Sequence, residues 1–126
     1  MRSDTGVFLR MAGDRNRVGS LARPDGYARK TGACGDTIEM YIRGSKAQIQ
    51  RIYFVIHGCV NTLACSNVVA HFVEGQGIDA AWDITPEQVI EFLETLPPSH
   101  HHCAELAVGT LYLALADLAR AAAYRC

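Results

Sequence analysis

Apolar and polar positions alternate in two stretches of the chain. In Thr37–Arg43 (TIEMYIR), Ile38, Met40 and Ile42 share one face; in Ile49–His57 (IQRIYFVIH), Ile52, Phe54 and Ile56 do. A repeat of two in β-branched and aromatic residues marks half-buried strands, and the short linker Gly44–Gln48 predicts an antiparallel hairpin between them. Beyond Cys59 the repeat becomes helical. Leu63, Val68, Val69, Phe72 and Val73 predict a helix over Thr62–Gly75, closed by its glycine. Thr85–Pro86–Glu87–Gln88 places an N-cap, a first-turn proline and a reciprocal Gln in order, predicting a helix that turns Val89, Ile90 and Leu93 inward and stops at Leu96–Pro97–Pro98. Ser99 is then expected to cap a last helix running to about Tyr124, with Leu106, Leu111, Leu113, Leu115 and Leu118. Residues 1–12 are expected to be a flexible start, and Asp14–Lys30 a short helix or irregular arm. Strands first and helices later give an α+β class, with residues 1–126 as a single domain.

Composition narrows the class of protein. With 126 residues, 49% of them apolar and 20% charged, the chain can bury its own core and is not a disordered sequence. No uninterrupted apolar run nears the roughly 18 residues of a membrane span, so no membrane segment is expected. Charges at the N-terminus occupy the place of a signal peptide's apolar stretch, which predicts a cytoplasmic protein and reduced thiols. A net charge of −1 argues against a nucleic-acid partner. The charge is unevenly spread: residues 1–51 hold ten of the twelve basic side chains, and residues 52–119 hold eight acidic residues and no Lys or Arg. This pattern fits a solvated acidic helical surface, or a basic and an acidic face for docking a partner.

The cysteines carry the candidate chemistry. Cys34 lies in the Gly-flanked stretch Thr31–Asp36, Cys59 follows the second strand, and Cys103 falls in the first turn of the last helix, directly after His100, His101 and His102. All three sit at element ends, where loops converge. Helix N–H groups near Cys59 and Cys103 would favour thiolate, and the position of Cys103 suggests an exposed nucleophile. Asp36 is two residues from Cys34 and points the same way on extended chain. Three thiolates with one carboxylate or imidazole suit tetrahedral zinc or iron. Spacing alone also allows buried unreactive cysteines, or a lone reactive thiol of the Cys–His type.

At these residues the sequence resembles the IscU/NifU N-terminal family of iron–sulfur cluster assembly scaffolds. The resemblance runs from Asn16–Leu21 (NRVGSL) through Ala33–Asp36 (ACGD), Gly58–Cys59, the Thr62–Gly75 helix and Leu96–Pro98 to His102–Cys103 and Leu106–Ala107. It implies a small antiparallel β-sheet of two or three strands packed on one side by several helices. It implies that Cys34, Cys59 and Cys103 are cluster ligands, Asp36 a ligand or release-assisting group, and His102 an alternative ligand. The implied cargo is a transient [2Fe–2S] cluster built from iron, with Zn²⁺ at the same residues as an alternative occupant. The implied partners are a cysteine desulfurase, with Cys103 as sulfur acceptor, and apo iron–sulfur proteins; self-association is left open. Such a protein is a scaffold, not an enzyme.

Two departures stand out. Leu96–Pro97–Pro98–Ser99–His100 replaces the family's Leu-Pro-Pro-Val-Lys site for a dedicated Hsp70-type chaperone, which argues against that partner. Val60 stands where glycine often follows the second cysteine. The competing readings are a zinc-binding persulfide acceptor and a small structural-zinc domain that only mediates contacts. Outside the constellation, Cys65 reads as a small buried side chain, Cys126 as a free terminal thiol, His100 and His101 as solvated or accessory metal contacts, His57 as structural, His71 as surface and Trp82 as a packing anchor.

Overall fold

The computed structural model describes residues 5–123. Its elements are α1 (Thr5–Gly13), β1 (Gly26–Thr31), β2 (Thr37–Gly44), β3 (Ile49–His57), α2 (Val60–Val73), α3 (Ile78–Ala81), α4 (Pro86–Leu93), a 3₁₀ turn (Pro98–His100) and α5 (His101–Ala123). The sheet is antiparallel in the order β1-β2-β3. The alternation expected in β2 and β3 is realised in register, with Ile38 opposite Ile56, Met40 opposite Phe54 and Ile42 opposite Ile52. These inward residues, with Ala28 of β1, form one wall of the core. The helices pack against that wall, so the fold is α+β.

α5 lies closest to the sheet. A methyl group on Gly26 would sit 2.8 Å from the Ala114 carbonyl oxygen and 2.9 Å from Leu118 Cβ, so glycine lets the helix settle onto β1. α2 is enclosed almost all round: Thr62 through Ala70 and Val73 are buried, polar Thr62, Ser66 and Asn67 included. The Asn67 amide donates to the carbonyls of Met11 (2.7 Å) and Asp14 (2.8 Å), fastening the end of α1 to α2. α4 begins with the expected capping box, Thr85 and Gln88 each accepting from the other's backbone N–H.

Several expectations need correction. The stretch read as a loose start is helical from Thr5, and its C-terminal end is held by Asn67. The stretch read as an arm contains β1, whose short alternation is broken by Arg29 and Lys30 and which is recruited by pairing with β2. Ser99 does not cap α5; it lies inside the 3₁₀ turn and its hydroxyl contacts His100 Nδ1 at 3.2 Å. Pro98–Ala121 is in fact long and apolar enough to cross a membrane by length and composition, with mean hydropathy 1.2, but 56% of that window is buried as the core helix of this domain. The expected helix end at Tyr124 and the thiol of Cys126 lie outside the described residues. Trp82 is 40% exposed and tilts over Tyr112, with ring centroids 5.6 Å apart.

The segment before β1 closes the free side of β3. Phe54 N–H donates to the Arg17 carbonyl and Gly19 N–H to the Phe54 carbonyl, both at 2.9 Å, a local parallel bridge. Arg17 also grips Glu74 at the end of α2 through two nitrogens, at 3.1 and 2.7 Å, and Ile52 N–H donates to the same carboxylate at 2.9 Å. Burial pushes the Glu74 carboxyl up, but the Arg17 guanidinium and the Ile52 N–H outweigh it and hold it below 4.5. A depressed carboxyl stabilises the fold above its unfolded value and loses that contribution as pH falls through its folded value. We therefore expect Glu74→Gln to cost about 1.5–3 kcal/mol at neutral pH, the range for hydrogen bonds to charged groups. Urea titrations should show a lower midpoint with unchanged slope. The gap to the parent chain should shrink as pH is taken below 4.5.

Candidate metal centre

The centre is assembled at one end of the sheet. The β1–β2 connection, residues 32–36, is a tight turn in which Gly32 N–H donates to the Asp36 carbonyl at 2.8 Å and Gly35 N–H to the Gly32 carbonyl at 3.0 Å. Gly35 takes φ +93°, in the left-handed region glycine accepts without strain. The turn carries Cys34 and delivers Asp36 toward the start of α2. Cys59 is the N-cap of α2, with φ −92° and ψ 173°. Cys103 projects from the first turn of α5.

Donor atoms of Asp36, Cys59 and Cys103 all lie within 4.8 Å of one another. Two thiols and a carboxylate at that separation form a set able to close on one zinc or iron ion. Cys34 stands beside this group on the exposed turn, where its thiol makes a small hydrogen-bond contribution to the Asp36 carboxylate. It is not among the three donors that converge. His102 lies outside the group. It is half-buried, its ring stacks on His100 with centroids 5.9 Å apart, and it faces a shallow depression shared with Lys30, Thr31 and Glu105.

Thr62 is the group that sequence reading missed. It is completely buried. Its hydroxyl donates to Asp36 Oδ2 at 2.7 Å and lies 3.5 Å from Cys103 Sγ and 3.8 Å from Cys59 Sγ. Asp36 Oδ2 also accepts from the Cys59 N–H at 3.3 Å. The Thr62 hydroxyl is the main reason the Asp36 carboxyl sits below its ordinary value, with burial opposing and the Cys59 N–H assisting. A signal for Thr62 was present in the pattern: it falls in the first turn of α2, three residues after a cysteine N-cap, where a side chain can reach back to the helix entrance.

The three thiols near the centre differ in character. Cys59 is exposed. Burial of its sulfur raises its pKa, but the Thr62 N–H, the Asn61 amide and the Thr62 hydroxyl together bring it below 9.0. Cys103 is 1% exposed, and desolvation is the main cause that pushes it up to about 11. The exposed, nucleophilic Cys103 expected from the sequence is therefore corrected: buried against α2, it is a protonated thiol at neutral pH. Cys65, fully buried behind it, is an inert core thiol, as the sequence suggested. His57 and His71 are exposed.

Comparison with known proteins agrees with this architecture. The NifU-like N terminal domain matches residues 7–123. The chain belongs to that family. Iron–sulfur cluster assembly scaffold protein IscU 1 of Archaeoglobus fulgidus is 33% identical over 115 residues, covering 90% of this chain and 74% of that protein. The IscU scaffold protein of Haemophilus influenzae is 34% identical over 106 residues, covering 79% and 82%. Among solved structures, the N-terminal part of a nitrogen-fixing NifU-like protein from Brucella abortus superposes with a TM-score of 0.69 at 23% identity, covering 95% of this chain and 94% of that one. A SUF-system protein from Fervidobacterium islandicum AW-1 gives 0.71 at 18% identity, covering 86% and 93%. At those identities the two structures speak to the fold.

One glycine in the NifU-like site has a clear steric role. A Cβ on Gly58 would fall 2.5 Å from Asp36 Oδ2 and 2.6 Å from its Cγ. The carboxylate occupies the space a side chain would need. We expect Gly58→Ala to leave the fold intact and to displace Asp36, because a flexible side chain gives way before backbone does. Zn²⁺ affinity, measured against a chromophoric chelator, should fall by about 10-fold or more, as for disruption of a ligand's supporting contacts. Asp36→Ala should show the same loss, and combining the two should add little.

Proposed function

We propose that this chain is a scaffold for iron–sulfur cluster assembly, a carrier and not a catalyst. It takes sulfur from a cysteine desulfurase, takes iron, builds a [2Fe–2S] cluster on Cys34, Asp36, Cys59 and Cys103, and passes it to apo-proteins of the cytoplasm. The observation that carries this reading is the convergence of Asp36, Cys59 and Cys103, from three elements far apart in the chain, within 4.8 Å. Relatives named as IscU scaffolds support it. Between Asp36 and His102 as the non-cysteine ligand, the geometry favours Asp36, which already stands among the sulfurs.

The chemistry asked of the site follows from its donors. A cluster that must be given up is better held by three thiolates and one oxygen than by four thiolates, since the oxygen is the weaker partner for iron. Sulfur arrives as the outer sulfur of a desulfurase persulfide. A scaffold thiolate attacks that sulfur, the donor's S–S bond breaks, a new S–S bond forms, and the desulfurase leaves as a thiolate. Cys59 can meet a partner directly. It is exposed and lines a groove with Arg15, Val18 and Val60, with Val60 58% exposed. Cys103, the acceptor implied by family resemblance, is 1% exposed and has to be uncovered before sulfur reaches it.

Anaerobic incubation with iron, cysteine, a cysteine desulfurase and dithiothreitol, which reduces the persulfide sulfur to sulfide, should turn the protein brown, and the colour should move to an apo-ferredoxin. A protein that stays colourless in that mixture overturns the scaffold reading; persulfide without colour would point to sulfur transfer alone. In Asp36→Ala we expect the visible absorbance to decay several-fold more slowly during transfer, because the exchangeable oxygen ligand is gone.

A further inference from the structure

We propose that Thr62 is the positioning residue of the centre, its hydroxyl holding the Asp36 carboxylate in the pose that meets the ion. The inference rests on the reading of Asp36, Cys59 and Cys103 as one ligand set, and it adds the group that keeps that set together. A hydroxyl on the buried face of α2 is otherwise hard to account for. Thr62 is wholly enclosed, and valine would fill the same volume without a polar atom. Burying an unpaired hydroxyl costs about 1–3 kcal/mol by mutational measures, so its place there depends on the bonds it makes.

Those bonds all lead to the candidate ligands. The hydroxyl is 2.7 Å from Asp36 Oδ2, 3.5 Å from Cys103 Sγ and 3.8 Å from Cys59 Sγ. It touches every member of the group that can share an ion. One hydroxyl has one proton, so it serves one acceptor at a time. The carboxylate is the nearest and the strongest of the three, and charge-assisted bonds are roughly twice as strong as neutral ones. The Cys59 N–H reaches the same oxygen at a longer 3.3 Å. Between them, the two donors fix one oxygen of a side chain that has two rotatable bonds and sits on a turn. Without the hydroxyl, only the longer bond from the Cys59 N–H holds that oxygen.

Groups that orient a ligand typically change metal affinity about 10- to 100-fold when removed. The test uses the full chain, freed of metal, with Zn²⁺ affinity measured by chelator competition and the visible spectrum recorded with Co²⁺. We expect Thr62→Val to weaken Zn²⁺ binding by about 10- to 100-fold and to alter the Co²⁺ spectrum. Thr62→Ser, which keeps the hydroxyl, should remain close to the parent. In an Asp36→Ala background, Thr62→Val should have no further effect on affinity. Thr62→Ala repeats the measurement should the valine variant fail to fold. Affinity unchanged in the hydroxyl-less variants, or an undiminished loss when Asp36 is already absent, overturns the assignment. A parent chain that binds neither ion overturns the ligand set itself, which separates the two failures.

Discussion

The metal-binding end of the molecule depends on one hydrogen bond across the chain, from the Thr62 hydroxyl to the Asp36 carboxylate. It joins the β1–β2 turn to the first turn of α2, elements that share no sequence proximity. Three features make it possible. Gly35 lets the turn reverse within a few residues, Gly58 leaves room for the carboxylate, and the buried position of Thr62 denies its hydroxyl to water. Cys59 and Cys103 then fall on either side of that bond because each opens a helix aimed at the same place. The centre is thus built by secondary-structure termini, not by a local ligand motif.

This explains which parts of the structure could be read from the chain. β2 and β3 announce themselves because each has one face in water and one in the core, so the repeat of two is clean. The capping box of α4 is wholly local and is equally legible. β1 is not: of its six residues only Gly26 and Ala28 are buried, and its strand character comes from partners on β2 and from α5 above it. α1 was missed for a related reason. It is the buried Asn67, more than fifty residues away, that receives its end. The candidate site divides the same way. Cys34, Asp36, Cys59 and Cys103 stand out by residue type and by family resemblance, whereas Thr62 has only its place in the first turn of α2 to mark it, and its partner is visible only once α2 and the β1–β2 turn are placed against each other.

The two helix-opening cysteines show why position at an element's end does not by itself decide reactivity. Cys59 feels the N–H groups of the first turn of α2; Cys103, in the first turn of α5, has only the Thr62 hydroxyl lowering it. Cys59 keeps solvent on one side and is lowered from its ordinary value; Cys103 is buried, and desolvation outweighs the Thr62 hydroxyl and raises it.

The long helix α5 has a consequence for how the chain comes together. It covers most of the inward face of β1 and β2, and its residues Ala114 and Leu118 seat directly on Gly26. Yet it follows the sheet and the other helices along the chain. Until it emerges, the hairpin's apolar side has no lid and the helix's own stripe has no seat. A nascent chain therefore shows sticky surfaces until α5 has emerged, and cooperative closure has to wait for that helix.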